Sequence, residues 1–271
     1  MNSTYGGRQT WRSYWSELWQ YRELCYFLAW RDVLVRYKQT VLGVAWALLR
    51  PALTLVIFTL VFDRMAGLPS GGAPYPLMIL AGMLPWQFFA GAFSEAGGSL
   101  VANSGMLSKV YFPRLLLPVS AAFSGVVDFA VSLSLMLVLM FWYGTIPSLR
   151  LVALIPFFAL ALVAAIGAGT WVAALNLRYR DFRYIVPFVV QLGFFVAPVG
   201  FQSALVSDRW RLLYSMNPIV GTIDGFRWAL LGEGYPIYWP GLYMSIAVAL
   251  LILLGGIRYF RGAERWFADF V

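Results

Sequence analysis

Apolar residues in this chain gather into six long runs: Val41–Phe62, Tyr75–Phe93, Leu115–Tyr143, Leu151–Leu175, Tyr184–Phe201 and Trp239–Ile257. A helix needs about 18–20 apolar residues, at ~1.5 Å each, to cross the ~30 Å of a bilayer's hydrocarbon core. Each run approaches or exceeds that length. A soluble core can hold one such helix, but six in 271 residues leave no room for a water-facing surface. The pattern predicts an all-α polytopic membrane protein with six transmembrane helices, occupying residues 41–257 between a 1–40 N-terminal tail with an interface helix and a 258–271 C-terminal tail.

Three stretches follow other rules. In residues 8–37, Trp11, Trp15, Leu18, Tyr21, Cys25 and Leu28 recur every three or four positions, with Arg12, Glu17, Arg22 and Glu23 largely on other faces. That period predicts one amphipathic helix, either lying in the membrane interface or packed on a partner; its Trp and Arg content suits the headgroup region. Residues 94–114 mix small, polar and apolar side chains and end at Pro113-Arg114. Within them Asn103, Ser104, Gly105, Met106, Leu107, Ser108, Lys109 and Val110 are enough for about two helical turns, read either as a surface loop or as a helix gripped by a partner. Residues 202–238 are too apolar for a free loop, yet Asp208, Arg209, Arg211, Asp224, Arg227 and Glu233 exclude a full span. Asn217 as an N-cap, Pro218 at the first helical position and Gly232 as a stop predict a helix with Ile219, Ile223, Phe226 and Leu230 on one face. The expectation is a re-entrant helical pair that enters one leaflet and returns.

Charge sets the orientation. With an even number of spans both ends share a side, and fourteen basic residues fall there: six from Arg8 to Lys38, Lys109 and Arg114, three from Arg178 to Arg183, and Arg258, Arg261 and Arg265. Five fall opposite: Arg64, Arg150, Arg209, Arg211 and Arg227. The positive-inside rule then predicts cytoplasmic termini, with 94–114 cytoplasmic and 202–238 external. The net charge of +8 is thus a topology signal rather than a nucleic-acid footprint. Short loops suggest a bacterial inner membrane. The first 40 residues hold no apolar core followed by a cleavage site, so no cleaved signal peptide is expected.

Much chemistry is excluded by composition. Histidine is absent and Cys25 is the lone cysteine, which removes Ser–His triads, histidine relays, internal disulfides and cysteine clusters. No metal site and no cofactor are expected. No GxxxxGK[ST] sequence occurs, so any ATP-driven role needs a separate ATPase. Charges within the runs are few. Asp128 lies mid-span, Glu95 at a boundary, and Arg50 nine residues into the first run, just before Pro51. Charged groups cost roughly 2.5–3.5 kcal/mol each at a span's centre, so they need partners or water. Arg50 either pairs with Asp128 or faces an anionic headgroup in a cavity. The 18% aromatic content is spent largely on interface belts. Trp46, Trp86, Phe88, Phe89, Phe194 and Phe195, lying in or near the runs, are candidates to stack on sugar rings along a conduit.

One motif is specific enough to name a relationship. The run from Arg31-Asp32 through Arg36-Tyr37-Lys38-Gln39-Thr40-Val41-Leu42-Gly43-Val44-Ala45-Trp46 to Arg50-Pro51, with its LG-x-x-W-x-x-x-x-P element, resembles the permease subunits of polysaccharide-exporting type-2 ABC transporters. Leu175–Phe182 with Pro187 and Ala197-Pro198-Val199, and Asn217-Pro218 through Phe226-Arg227, are similar too, so the likeness runs from about residue 25 to 260. It is nearest to lipopolysaccharide O-antigen export permeases; Ala197 departs from the serine of many relatives. The resemblance implies a homodimeric membrane subunit working with two ATP-binding subunits to move an undecaprenyl-diphosphate-linked polysaccharide. It further implies that Asn103–Val110 is the coupling helix, that Leu42, Gly43 and Arg50 form a cytoplasmic gate, and that Asn217, Pro218, Asp224 and Arg227 belong to an external gate. Capsule, teichoic acid and small lipophilic cargoes are the alternatives within that class. A membrane enzyme on polyprenyl-linked sugars is the alternative outside it, and the missing histidines and carboxylate clusters count against it.

Overall fold

A computed structural model of the chain describes residues 10–38, 43–65, 67, 70–107, 109–179 and 181–264, and every regular element among them is helical. Helices α1 (Trp11–Gln20) and α2 (Arg22–Lys38) precede α3 (Gly43–Phe58), which continues as a π-helical turn over Thr59–Met65. Thr59 returns its hydroxyl to the Leu55 carbonyl at 2.8 Å where the ladder changes pitch, as back-bonding threonines do. Then follow α4 (Tyr75–Ala102), α5 (Ser104–Leu107), α6 (Leu116–Trp142), α7 (Leu154–Arg178) and α8 (Phe182–Val196). Short α9 (Asp208–Tyr214), α10 (Pro218–Leu231) and α11 (Trp239–Ala263) complete the chain.

Among the described residues, four helical segments are long and apolar enough to cross a membrane: Tyr75–Ala102, Leu116–Trp142, Leu149–Arg178 and Trp239–Ala263. The first and fifth expected spans are represented by shorter apolar helices, Pro51–Val61 and Phe182–Val196. At ~1.5 Å per residue, a helix of α8's length reaches only about 22 Å, short of the hydrocarbon core.

The column of the fold is α4, buried along most of its length between α6 and α7. Small residues let these helices approach closely, the packing device of membrane helices. A β-carbon added at Gly169 would stand 2.5 Å from that of Ala96, and one at Gly256 would stand 2.6 Å from the Gly167 carbonyl. These contacts join α7 to α4 and α7 to α11. Large apolar side chains elsewhere point outward, such as Phe141 on α6, Phe188 on α8 and Leu251 on α11, as a lipid-facing surface requires.

Two expectations change in detail. The amphipathic segment is not one helix: the chain breaks at Tyr21 into α1 and α2. Its buried face is set by Tyr14 and Leu28 with Leu18, Leu24 and Cys25 beside them, whereas Trp11 and Trp15 remain about half exposed. This face shares a cluster with Leu100, Leu107, Phe112, Leu116, Ile257 and Phe260, and α2 lies chiefly along α6. The second change concerns α10. Its stripe of Ile219, Ile223, Phe226 and Leu230 is buried, as the period required, but α10 is enclosed by α4, α7 and α11.

Candidate transport cavity

Helix α2 ends in Arg36 and Tyr37, and both reach carboxylates carried by the spans. Arg36 donates from Nη2 to Glu95 Oε1 of α4 and from Nη1 to Asp128 Oδ2 of α6; the Tyr37 hydroxyl donates to Asp128 Oδ1. Ser124 accepts from Arg36 Nη2 at 3.4 Å and donates to Glu95 Oε2 at 2.7 Å. The planar fork of arginine serves two acceptors at once, which a lysine's single ammonium does poorly. Burial, then the bond to Asp128, pushes the Tyr37 phenol above its ordinary value, so it stays a donor. This network answers the cost of two acids within the spans. Asp128 is therefore engaged by Arg36 and Tyr37; the Arg50 side chain lies outside the described residues.

These groups line one side of a cavity of ≈ 840 Å³ between α3, α4, α6 and α8. Trp86, Phe88, Phe129 and Phe194 form an aromatic wall, with Gln87, Ser94 and Ser132 interspersed. The rings brace one another. Phe88 lies 4.4 Å from Phe158 and Phe194 lies 6.2 Å from Trp86, centroid to centroid. Gly193 gives Trp86 its seat, since a β-carbon there would stand 2.6 Å from the indole. Of the expected conduit aromatics the structure brings together Trp86, Phe88 and Phe194. Phe89 stacks behind them on Phe93, and Phe195 is 67% exposed, outside the lining. The side chain of Trp46 lies outside the described residues.

The helix within residues 103–110 is shorter than its composition suggested. Helix α5 is a single turn, Ser104–Leu107, because Asn103 ends α4 by donating its side-chain amide back to the Ser99 carbonyl at 2.9 Å. Arg31 of α2 donates to Asn103 Oδ1 at 2.9 Å. Leu107 is buried, while Ser104, Gly105, Lys109, Val110 and Tyr111 are exposed and Met106 is half-buried. Ser108 and Leu42 lie outside the described residues, and Gly43 opens α3.

At the opposite end of α4, α10 begins as predicted: Asn217 Oδ1 accepts from the Ile219 amide at 3.1 Å, and Pro218 is its first residue. Gly232 ends the helix with φ 85°, in the region where only glycine is at ease. Asp224 accepts from Ser203 at 2.6 Å. Arg227, 1% exposed, donates to three backbone carbonyls: Met78 on α4 at 3.3 Å, and Val199 and Phe201 after α8 at 2.8 Å each. It is a staple between elements, a role its position in the sequence did not disclose.

Sequence reasoning missed Arg36 and Glu95 as cavity groups. The signal was present: one carboxylate within an apolar run, another just past the end of one, and an Arg-Tyr pair ending an amphipathic helix just before the first run. Distance along the chain hid it, since Arg36 meets Glu95 and Asp128 across 59 and 92 positions.

A bundle of apolar helices around a polar and aromatic cavity has the architecture of a membrane permease. The chain belongs to the ABC-2 type transporter family, which matches residues 23–231. It is 29% identical to the O-antigen export system permease protein of Myxococcus xanthus over 258 residues, covering 93% of this chain and 97% of that one. A protein of the same description from Klebsiella pneumoniae is 27% identical over 88% of this chain and 91% of its own. The polysialic acid transport protein of Escherichia coli is 20% identical, over 86% and 91%. The chain is thus a multi-pass transmembrane permease of ABC type, with homologues in polysaccharide export.

Proposed function

We propose that this permease moves an undecaprenyl-diphosphate-linked polysaccharide, of O-antigen type, from the cytoplasm to the periplasm across a bacterial inner membrane. It does so as a homodimer with two separate ATP-binding subunits. Both termini are cytoplasmic, and the short apolar helices within Val41–Phe62 and Tyr184–Phe201 complete six spans. The exposed Lys109-Val110 end of the 103–110 segment docks the ATPase. Arg50, beside the Leu42-Gly43 gate, meets the carrier's diphosphate, for which a bidentate guanidinium is suited. The 202–238 region, with Asn217, Pro218, Asp224 and Arg227, closes the external side.

The observation that carries this reading is the cavity itself. An aromatic wall faces hydrogen-bonding groups, the combination that sugar rings require, in a chain whose relatives are described as O-antigen export permeases. Capsular polysaccharide remains a second cargo, favoured by the likeness to the polysialic acid transport protein.

The test is genetic and biochemical together. Deleting the gene should trap lipid-linked polymer in the cytoplasm, and the intact gene should restore its export. The tagged protein should co-purify with an ATPase, and Leu107→Pro should abolish co-purification and export while leaving membrane insertion intact. Export surviving either the deletion or the proline overturns the reading. With Cys25 removed, a cysteine at Arg180 should resist an impermeant thiol reagent in whole cells and one at Ser207 should label; the reverse pattern overturns the orientation.

A further inference from the structure

We infer that the cavity discriminates by charge, accepting uncharged glycan and disfavouring acidic glycan, with Glu95 and Asp128 as the residues that set the preference. The inference rests on the reading that a polysaccharide occupies this cavity.

The charged side chains among its described lining residues are Arg36, Glu95 and Asp128, which leaves one net negative charge per copy. The guanidinium is already committed, its two Nη atoms directed at the two acids and Ser124. The acids are not used up. Each of their four oxygens has a donor in the network: Arg36 on Glu95 Oε1 and Asp128 Oδ2, Ser124 on Glu95 Oε2, and Tyr37 on Asp128 Oδ1. A carboxylate oxygen accepts two hydrogen bonds, so each retains an acceptor position. Their side chains are 40% and 37% exposed, and both line the cavity. What the two acids present is therefore acceptors, and the complement of an array of acceptors is an array of hydroxyl donors.

Neutral sugars carry such donors around every ring, and the aromatic faces opposite, with their negative quadrupole, offer an anion no compensation. A uronic or sialic carboxylate brings a second anion into the same space. A cavity of ≈ 840 Å³ is only about 12 Å across if taken as a sphere, so that anion cannot stand far from the acids, and Coulomb repulsion at a protein-like dielectric amounts to roughly tenfold in affinity. The same charge count predicts what reverses the preference. Replacing both acids leaves the guanidinium as the charge of the described lining, which then favours an anion.

The experiment uses the full-length permease in lipid nanodiscs, titrated with maltoheptaose and with the heptamer of galacturonic acid, a neutral and an acidic chain of equal length. Binding is read from quenching of tryptophan fluorescence, with the Trp86→Phe variant, which should lose most of the signal, locating it to the cavity. The native protein should bind maltoheptaose about tenfold more tightly than the acidic heptamer, from the repulsion above. Glu95→Gln with Asp128→Asn should reverse that order, and Arg36→Gln should widen it. Should the double variant fail to fold, Asp128→Asn alone must bring the two affinities close together. Equal affinities in the native protein, an order unchanged by removing the acids, or binding of neither heptamer overturns the inference. The export and co-purification assays report separately on the transporter reading, which survives if polymer is exported while the two probes bind alike.

Discussion

Arg31 donates to the side-chain oxygen of Asn103 at 2.9 Å, tying α2 to the residue that ends α4 and begins the segment proposed to dock the ATPase. Five positions further along the same helix, Arg36 holds the acids of the cavity. One rigid helix thus touches both the segment assigned to the ATPase and the polar side of the cavity. Arg31→Ala and Asn103→Ala should each lower thermal stability slightly. Because Arg31 is itself 37% exposed, a double-mutant cycle should give a coupling of only about 0.5–1 kcal/mol. A larger loss of ATP-driven export than of stability is the expected signature, checked by export assay beside melting curves. Equal losses would reduce this contact to a structural one.

The partner of Asp128 can be decided by exchange. Arg36→Asp leaves three acids around one cavity wall, and Asp128→Arg places two guanidiniums there. Either single change should destabilise by about 1–3 kcal/mol, below the loss seen for fully buried pairs because the groups are partly solvated. The double exchange should recover most of that loss in thermal unfolding of the detergent-solubilised protein. The Arg50→Asp, Asp128→Arg combination should recover none.

Gly82 and Gly91 make a matched pair on α4. A β-carbon at Gly82 would meet Arg227 Nη2 at 2.8 Å and the Val199 carbonyl at 3.2 Å, whereas at Gly91 nothing lies within 4 Å. Gly82→Ala should push the buried guanidinium off its carbonyls and cost about 1–3 kcal/mol, the range for overpacking. Gly91→Ala should be neutral or stabilise by up to about 1 kcal/mol through helix propensity. Melting temperatures of the two variants give the comparison, and a harmless Gly82→Ala would contradict the staple assigned to Arg227.

At the far end of the chain, Glu264 accepts from the Tyr14 hydroxyl at 3.3 Å, and Arg114 donates to its carbonyl at 3.2 Å. Burial pushes the Glu264 carboxyl up to about 7, against the partial relief of the Tyr14 bond and of Arg114 and Arg261. A raised carboxyl holds its proton more tightly in the folded state. Its contribution is full below the ordinary value of about 4.5 and falls as pH rises to about 7. Amide exchange in residues 11–20, corrected for intrinsic rates, should therefore show α1 better protected at about pH 5 than at about pH 8. Glu264→Gln should remove the difference. Protection that instead grows with pH would contradict this attachment of α1.

Most of the helices were legible because apolar length and capping chemistry are local properties. Asn217, Pro218 and Gly232 bounded α10 from their own backbone requirements, and the run from Leu115 to Tyr143 became α6 almost unchanged. The break at Tyr21 was not legible, since the apolar period continues through it and the neighbours it packs among, α6 foremost, come from distant parts of the chain. Nor was the Arg36 network. A charge and its partner on separate helices share no window of sequence, so Asp128 was offered Arg50 as its partner, whereas the structure gives it Arg36 and Tyr37. Arg227 was equally hidden: its acceptors are backbone carbonyls, which every residue possesses.

The near-contact of Gly167 with Gly256 bears on how such a cavity could widen. Two helices that close have little room to slide, so α7 and α11 form a tightly packed chassis. On the cavity's other flank, Leu53, Val56 and Ile57 of α3 and Phe188 of α8 are more than half exposed, and the described contact between these two helices includes Phe58 against Phe194 at 5.2 Å. Ring pairs of that kind are worth about 0.5–1.5 kcal/mol beyond their burial. Outward swinging of α3 and α8 would part a few such rings, whereas moving the chassis would tear backbone from backbone. The bundle is thus stiff on one flank and yielding on the other, and the aromatic wall stands at the seam between them.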